Sequence, residues 1–194
     1  IDVINNFPYQ DIRDYYAKWY RPDLQGIVIV GDINVDEIEA KLKKVFADVK
    51  APVNPAERIY YPVADNQEPL IYIGTDKEVK NPSVNIFFKQ DATPDSLKNT
   101  IAYYATSYMV SMAMNMLNNR LNELRQIANP PFTSAGAEYG EYFLAKTKEA
   151  FSISASSKID GIDLATKTIL EEAERARRFG FTATEYDRAR ANYL

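Results

Sequence analysis

Apolar residues at helical spacing open the chain. A predicted amphipathic helix carries residues at i, i+3, i+4 and i+7 on one face, and Pro22 ends it. These residues are Ile12, Tyr15, Tyr16 and Trp19. The uninterrupted apolar run at 27–30 predicts a short strand buried on both faces. Asn34 and Glu37 then have the spacing of a capping box, which predicts the start of a second helix.

A proline-rich stretch follows this second helix. Pro52, Pro55 and Pro62 favour extended backbone, so we predict a connector over residues 51–66. Residues 1–50 then end one α/β domain, and residues 67–194 form the next domain. We expect this next domain to be truncated at its C-terminal helix.

Strands and helices alternate in the larger part. Apolar runs and period-two alternation predict strands over 70–73, 84–89, 132–139 and 150–156, with the last two joined around Gly140. Predicted helices begin at Thr93 and extend over 117–127 and 162–178. Gly180 is the predicted C-terminal cap of the last of these, and a new helix is predicted from Thr182, with Glu185 completing a second capping box. The predicted fold class is α+β or α/β, with a mixed or antiparallel sheet and helices packed on one face.

Four methionines lie between two of the predicted helical stretches. They are Met109, Met112, Met114 and Met116. Such a cluster either lines an adaptable binding surface or fills irregular gaps in a core, and we favour the core interpretation.

Composition excludes several classes of function. The chain of 194 residues contains no histidine and no cysteine, which are the main ligands of zinc and the partners in most nucleophilic pairs. We therefore expect the chain by itself to bind no metal and to have no catalytic activity. Its net charge of −4 disfavours nucleic acid as a partner, and its apolar runs are much shorter than the roughly 20 residues that span a bilayer.

The remaining motifs have structural explanations. Asp32, Asn34 and Asp36 resemble the opening of a calcium loop, but Glu37 stands where that loop needs glycine and Lys43 where it needs glutamate. We interpret the motif as a turn followed by a helix cap. Paired acids such as Glu138 with Glu141, and Glu171 with Glu172, are expected on solvated surfaces.

Three separated stretches together resemble the insulinase/pitrilysin type of zinc metallopeptidase. They are YYAKWYRPDLQGIVIVGDI at 15–33, NRLNELRQ at 119–126 and FGFTATEYDRARANYL at 179–194. The resemblance implies a clamshell enzyme of repeated α/β domains that cleaves peptides in a chamber between two halves. Its zinc is held by an H-x-x-E-H motif and a distant Glu. None of those positions is in this chain, so the zinc domain is expected upstream.

The same resemblance supplies candidate substrate-binding residues. In the second half of the family's proteins, an Arg followed seven residues later by a Tyr reaches the chamber. The matching positions here are Arg125 and Phe132, and Arg120 lies on the same stretch. Because Phe132 has no hydroxyl group to donate a hydrogen bond, the departure favours the first half of such a protein. We expect residues 132–139 to form a strand near the chamber wall.

The leading hypothesis is therefore a non-catalytic piece of a zinc metalloendopeptidase. Its expected partners are peptide substrates, the upstream zinc domain and the second half of the parent protein, with zinc in the parent only. The alternatives are a scaffold or binding domain of an inactive relative, and a self-contained binding module. The bacterial relatives that the sequence resembles suggest the periplasm or the cell envelope.

Overall fold

The computed structural model describes residues 1–143 and 145–193, which divide into two compact units, Ile1–Ile59 and Tyr60–Leu194. The first unit contains helices α1 (Asp2–Asn6), α2 (Tyr9–Trp19) and α3 (Val35–Val45), with a short 3-10 helix at Pro22–Leu24. The second contains, in order, β1 (Ser83–Asp91), α4 (Asp95–Lys98), α5 (Ile101–Arg125), β2 (Ser134–Tyr142), β3 (Ala145–Ser156), α6 (Ile162–Phe179) and α7 (Ala183–Tyr193). Leu194, the last residue of the third matching stretch, lies outside the described residues.

The start of α3 is set by local hydrogen bonds. The Asn34 side chain accepts a hydrogen bond from the Glu37 backbone N–H at 3.2 Å, so the predicted cap is confirmed. Asp36 and Glu37 occupy the first turn and Lys43 and Lys44 the last, which places charges favourably against the helix dipole. The cap also accounts for Asn34 in the calcium-like motif.

Two predicted strands are wrong. Residues 27–30 have irregular backbone, and Val28 and Val30 are 87% and 92% exposed. Residues 70–73 are also irregular and at least 82% exposed. The physical reason is the same in both places, because a strand needs a neighbour to satisfy its backbone groups. Neither run has such a neighbour among the described residues.

The second unit is built on an antiparallel sheet with strand order β1-β3-β2. Helices α5 and α6 pack on this sheet, which confirms the predicted α+β class. The main core lies between them and is formed by Leu117, Leu121, Phe132, Ala137, Ile153, Ala155, Ala165 and Ile169. Gly140 lies inside β2 rather than in the turn, and the strand is followed by Phe143 at φ 52°.

Helix α5 joins segments that the sequence separates. The predicted helix at Thr93 ends after one turn at Lys98, and Thr100 caps α5 by accepting from the Tyr103 N–H at 3.2 Å. The helix then continues for 25 residues through the methionines. Met112 and Met116 are buried against Ala189, in agreement with the core interpretation, whereas Met109 is exposed.

The turn between α6 and α7 follows the sequence prediction. Gly180 has φ 66° and ψ −146°, a conformation that side chains rarely allow. Thr182 and Glu185 form the predicted capping box, with backbone N–H groups donating to each other's side chains at 2.7 and 3.3 Å. This turn presents the Gly180 carbonyl and the Glu185 carboxylate to α5.

Candidate functional site

The two faces of the sheet differ in composition. On one face, Phe151, Ile153 and Ala155 of β3 pack with the helices in the core. The other face carries small residues on β3 and on its neighbour β2: Ala150, Ser152, Ser154, Gly136 and Gly140. These residues line a cavity of about 580 Å³. We call it the sheet-face groove.

Strand register places three different side chains in one row across the sheet-face groove. Phe87 of β1 lies opposite Ser152 of β3, which lies opposite Glu138 of β2. The row therefore has an aromatic ring on one edge strand, a hydroxyl group in the middle and a carboxylate on the other edge strand. The Ser152 hydroxyl donates to Glu138 Oε1 at 3.1 Å.

Aromatic rings close one end of the sheet-face groove. Ring centroids of Phe87, Tyr142 and Phe143 are 4.8 to 5.7 Å apart. The Lys89 ammonium lies 5.7 Å from the centre of the Tyr142 ring, a cation–π distance. Phe143 adopts a left-handed backbone conformation that is rare for a bulky residue, and its ring is 65% exposed.

A charged cluster joins the preceding chain segment to the end of the sheet. The buried Lys148 ammonium lies 2.6 Å from an Asp65 oxygen and 2.7 Å from an Asp91 oxygen, and these hydrogen bonds raise the pKa of Lys148. Lys89 donates to the Ala64 carbonyl at 2.9 Å, and Thr147 donates to a second carbonyl in this segment. Residues 61–65 are therefore fastened to the sheet.

A tyrosine network lies on the helix-side face of the sheet. Burial, followed by a hydrogen bond to Glu149 at 2.9 Å, raises the pKa of Tyr139 to about 12. Gln90 donates to the same hydroxyl, and the Thr93 N–H donates to Glu149 at 3.3 Å. A phenol with this pKa stays protonated at neutral pH and acts as a hydrogen-bond donor. Period-two alternation alone places Tyr139 on this face, but no motif in the sequence marks its hydroxyl as part of a network.

Arg120 has structural partners inside the domain. Its guanidinium contacts the Glu185 carboxylate at 2.5 and 2.9 Å, donates to the Gly180 carbonyl at 3.0 Å, and lies 4.6 Å from the centre of the Phe181 ring. The hydrogen bond from Arg120 is the main reason that the pKa of Glu185 falls to about 2. These contacts join α5 to the turn before α7.

The three predicted substrate-binding residues do not converge. Phe132 is a core residue that is 2% exposed, and Arg120 is buried in its ion pair. Arg125 is exposed at the last residue of α5 and has no ion-pair partner among the described residues. A contact with substrate stays a prediction for all three, and Arg125 alone presents its charge to solvent.

The donor set does not fit a zinc site. The sequence has no histidine or cysteine, and the described residues contain no group of three or more acidic side chains that could hold a metal. Glu171 is exposed beside Lys167, as expected for a solvated acid, whereas the expectation is wrong for Glu172, whose side chain is 12% exposed and contacts Arg175. Within 1–143 and 145–193, no helix is both long and apolar enough to cross a membrane.

Comparison with known proteins gives one family and a consistent set of relatives. The profile of the family described as "Peptidase M16 inactive domain" matches residues 6–193. A protein described as zinc protease PQQL-like, from Arabidopsis thaliana, is 27% identical over 131 residues, which are 67% of this chain and 13% of that protein. The probable zinc protease PqqL from Escherichia coli is 23% identical over 195 residues, which are 100% of this chain and 20% of that protein.

A solved structure has the same fold. The first half of the periplasmic protease PqqL from Escherichia coli matches with a TM-score of 0.69 and 19% identity, over 99% of this chain and 40% of that one. Because the identity is low, this likeness is evidence of fold alone. The chain spans only 13% and 20% of the length of the two curated relatives.

The Arg120–Glu185 pair predicts a stability difference that depends on pH. Glu185→Gln should lower the free energy of unfolding by about 2–4 kcal/mol at neutral pH, because it leaves a buried guanidinium without its charge partner. The carboxylate pKa is depressed from 4.5 to about 2, so the contribution is complete above pH 4.5 and is lost as pH falls toward 2. Urea unfolding at several pH values measures it.

A matched control is Glu123→Gln, which removes an exposed pair with Arg188 at 3.6 Å. It should change the free energy of unfolding by less than about 1 kcal/mol. Equal effects of the two substitutions at neutral pH would contradict the structural role of Arg120.

Phe132→Tyr tests whether the phenyl ring belongs to the core. Adding a hydroxyl to this residue, which is 2% exposed, should lower the free energy of unfolding by about 1–3 kcal/mol, because the buried hydroxyl loses its hydrogen bonds to water. Phe87→Tyr, at a ring that is 38% exposed, is the control and should change it by less than about 0.5 kcal/mol. A neutral Phe132→Tyr would show that this position reaches solvent.

Proposed function

The chain belongs to the M16 peptidase family as a domain of the inactive type, and from that premise we propose that it is one part of a longer zinc metalloendopeptidase. This membership confirms the resemblance of the three sequence stretches to the insulinase/pitrilysin type. The family match over residues 6–193 carries the proposal. In the proposed parent, peptides are cleaved in an enclosed chamber, and the zinc is held by residues outside this chain.

The proposed domain organisation is the one expected from the sequence. Residues 1–50 end a preceding zinc-type domain, 51–66 form the linker, and 67–194 belong to the following non-catalytic domain. The exposure of apolar side chains in the first unit supports this division. Ile12, Tyr15 and Tyr16 on one face of α2 are 55–62% exposed, and Val28 and Val30 are more exposed still. Such side chains are typical of a segment that packs against further chain.

We assign the sheet-face groove to the wall of the chamber. Its opening, its floor of small residues and its convergent polar groups support a surface that faces peptides. The partners of this piece are then the peptide substrates, the upstream zinc domain and the second half of the parent. The fold likeness to the first half of a related protease supports a place in the first half.

The proposed location is the periplasm or cell envelope. The description of the related Escherichia coli protease as periplasmic supports it. The absence of cysteine in this chain is compatible with that compartment and with others.

Zinc content and cleavage of the full-length protein test the proposed activity. The full-length protein should bind zinc and cleave an unstructured peptide, lose cleavage on chelation and recover it when zinc is added. The 194-residue chain alone should bind no stoichiometric zinc and cleave nothing. A full-length protein that binds peptides without zinc or cleavage would instead be a scaffold or binding protein of the same family.

Arg125→Ala in the full-length enzyme tests the proposed substrate contact. Loss of an exposed cation that contacts substrate should lower kcat/KM by roughly fivefold, in the range of a solvent-exposed ion pair. Lys167→Ala, an exposed cation on α6, is the control and should leave kcat/KM unchanged. Unchanged cleavage by Arg125→Ala would remove Arg125 from the proposed substrate site.

A further inference from the structure

The sheet-face groove contains one acidic group without a cation. Glu138 is exposed, and its described partner is the neutral hydroxyl of Ser152. No lysine or arginine of the described residues forms an ion pair with it, whereas Glu141 on the same strand contacts Lys146 at 2.6 Å. The groove therefore offers a carboxylate that can pair with a cation from outside.

The surroundings of Glu138 suit the side chain of a basic residue. Phe87 lies on the opposite edge of the same row, with Ser152 between them. Arginine and lysine have an apolar stem and a charged tip, so the stem can lie over the small floor and the Phe87 ring while the tip reaches the carboxylate. A guanidinium also matches a carboxylate with two parallel hydrogen bonds.

We propose that the sheet-face groove binds an extended peptide segment through a cationic side chain that pairs with Glu138 beside Phe87. Glu138 is then a specificity-determining residue for substrate. This inference rests on the proposed role of the groove as a wall that faces peptides. It adds the chemical class of the peptide residue that the wall selects.

Neighbouring charges fix where the cation lies. The next row toward the aromatic end, about 7 Å along the strand, has Lys89 opposite Ala150, which in turn lies opposite Gly140. The Lys89 ammonium lies against Tyr142, so a second cation is repelled at this row, and a neutral or acidic residue is favoured there. The selected peptide residue is therefore the one over Ser152, and a residue two positions away meets Lys89 and the aromatic end.

The size of the floor residues allows a peptide backbone to approach. Neither Gly136 nor Gly140 places a side chain above the sheet, and a methyl group added at Gly140 would meet nothing within 4 Å. Ala150 and Ser152 of the floor are only 4% and 9% exposed, so the more exposed Phe87 and Glu138 on the two outer strands are the groups that a peptide side chain can contact.

Peptide binding to the full-length protein, kept metal-free with a chelator, tests the proposal. The probes are three fluorescent ten-residue peptides of Gly, Ser and Ala that carry a central Arg, norleucine or Glu. Wild type should bind the Arg peptide about fivefold more tightly than the norleucine peptide, as measured by fluorescence anisotropy. Glu138→Gln should remove this preference, and Glu138→Lys should reverse it in favour of the Glu peptide.

Glu171→Lys is the control, because it makes the same charge change at an exposed position on α6. It should leave the preference of wild type for the Arg peptide unchanged. Equal preferences in wild type, Glu138→Gln and Glu171→Lys would overturn the assignment of Glu138, as would a complete lack of peptide binding.

Cleavage with zinc restored separates this inference from the proposed function. If the protein cleaves peptides with zinc but substitution of Glu138 does not change the peptide preference, the proposed peptidase function stands and the proposed groove specificity is wrong. If peptide binding depends on Glu138 but no cleavage is observed with zinc, the groove specificity is supported and the proposed peptidase function is wrong.

Discussion

The period-two alternation of the central strand β3 is the constraint on which the larger unit depends. Ile153 and Ala155 are buried in the core with residues of α5 and α6, and burial of this apolar face is the main stabilising contribution. Ala150, Ser152 and Ser154, which alternate with the core residues, are small and face the other side of the sheet. A slip of one residue would exchange the two faces, so the same register that builds the core also builds the sheet-face groove.

Two groups of charges in this unit have different physical roles. Arg120 and Lys148 are buried, and each is neutralised by carboxylates that join distant parts of the chain. Removing one partner from such a pair leaves a charge away from water, which makes these residues structural. Glu138 and Arg125 are exposed and have no ion-pair partner among the described residues. A charge of this second kind is available to a ligand without disrupting the fold.

The relatives of this chain are proteases, but the chain itself lacks the side chains that bind zinc in such enzymes. Its relatives are described as zinc proteases, while the matching family profile is of the inactive domain, and the chain carries no histidine. Both facts agree if catalysis and substrate contact belong to separate domains of one protein. Under the proposed function, the metal site lies in another domain and this chain supplies a surface that contacts the peptide.

The sequence by itself determined the features that depend on neighbouring residues. The Asn34 and Thr182 caps, the positive φ of Gly180 and the alternation of β3 all follow from contacts within a few positions. The two wrong strands, at 27–30 and 70–73, show the limit, since apolar runs become strands only when another strand pairs with them. Tertiary structure alone decided that Arg120 meets Glu185, that Phe132 is buried and that Glu138 faces an open groove. These outcomes depend on which distant segments pack together, and a side chain's local sequence does not contain that information.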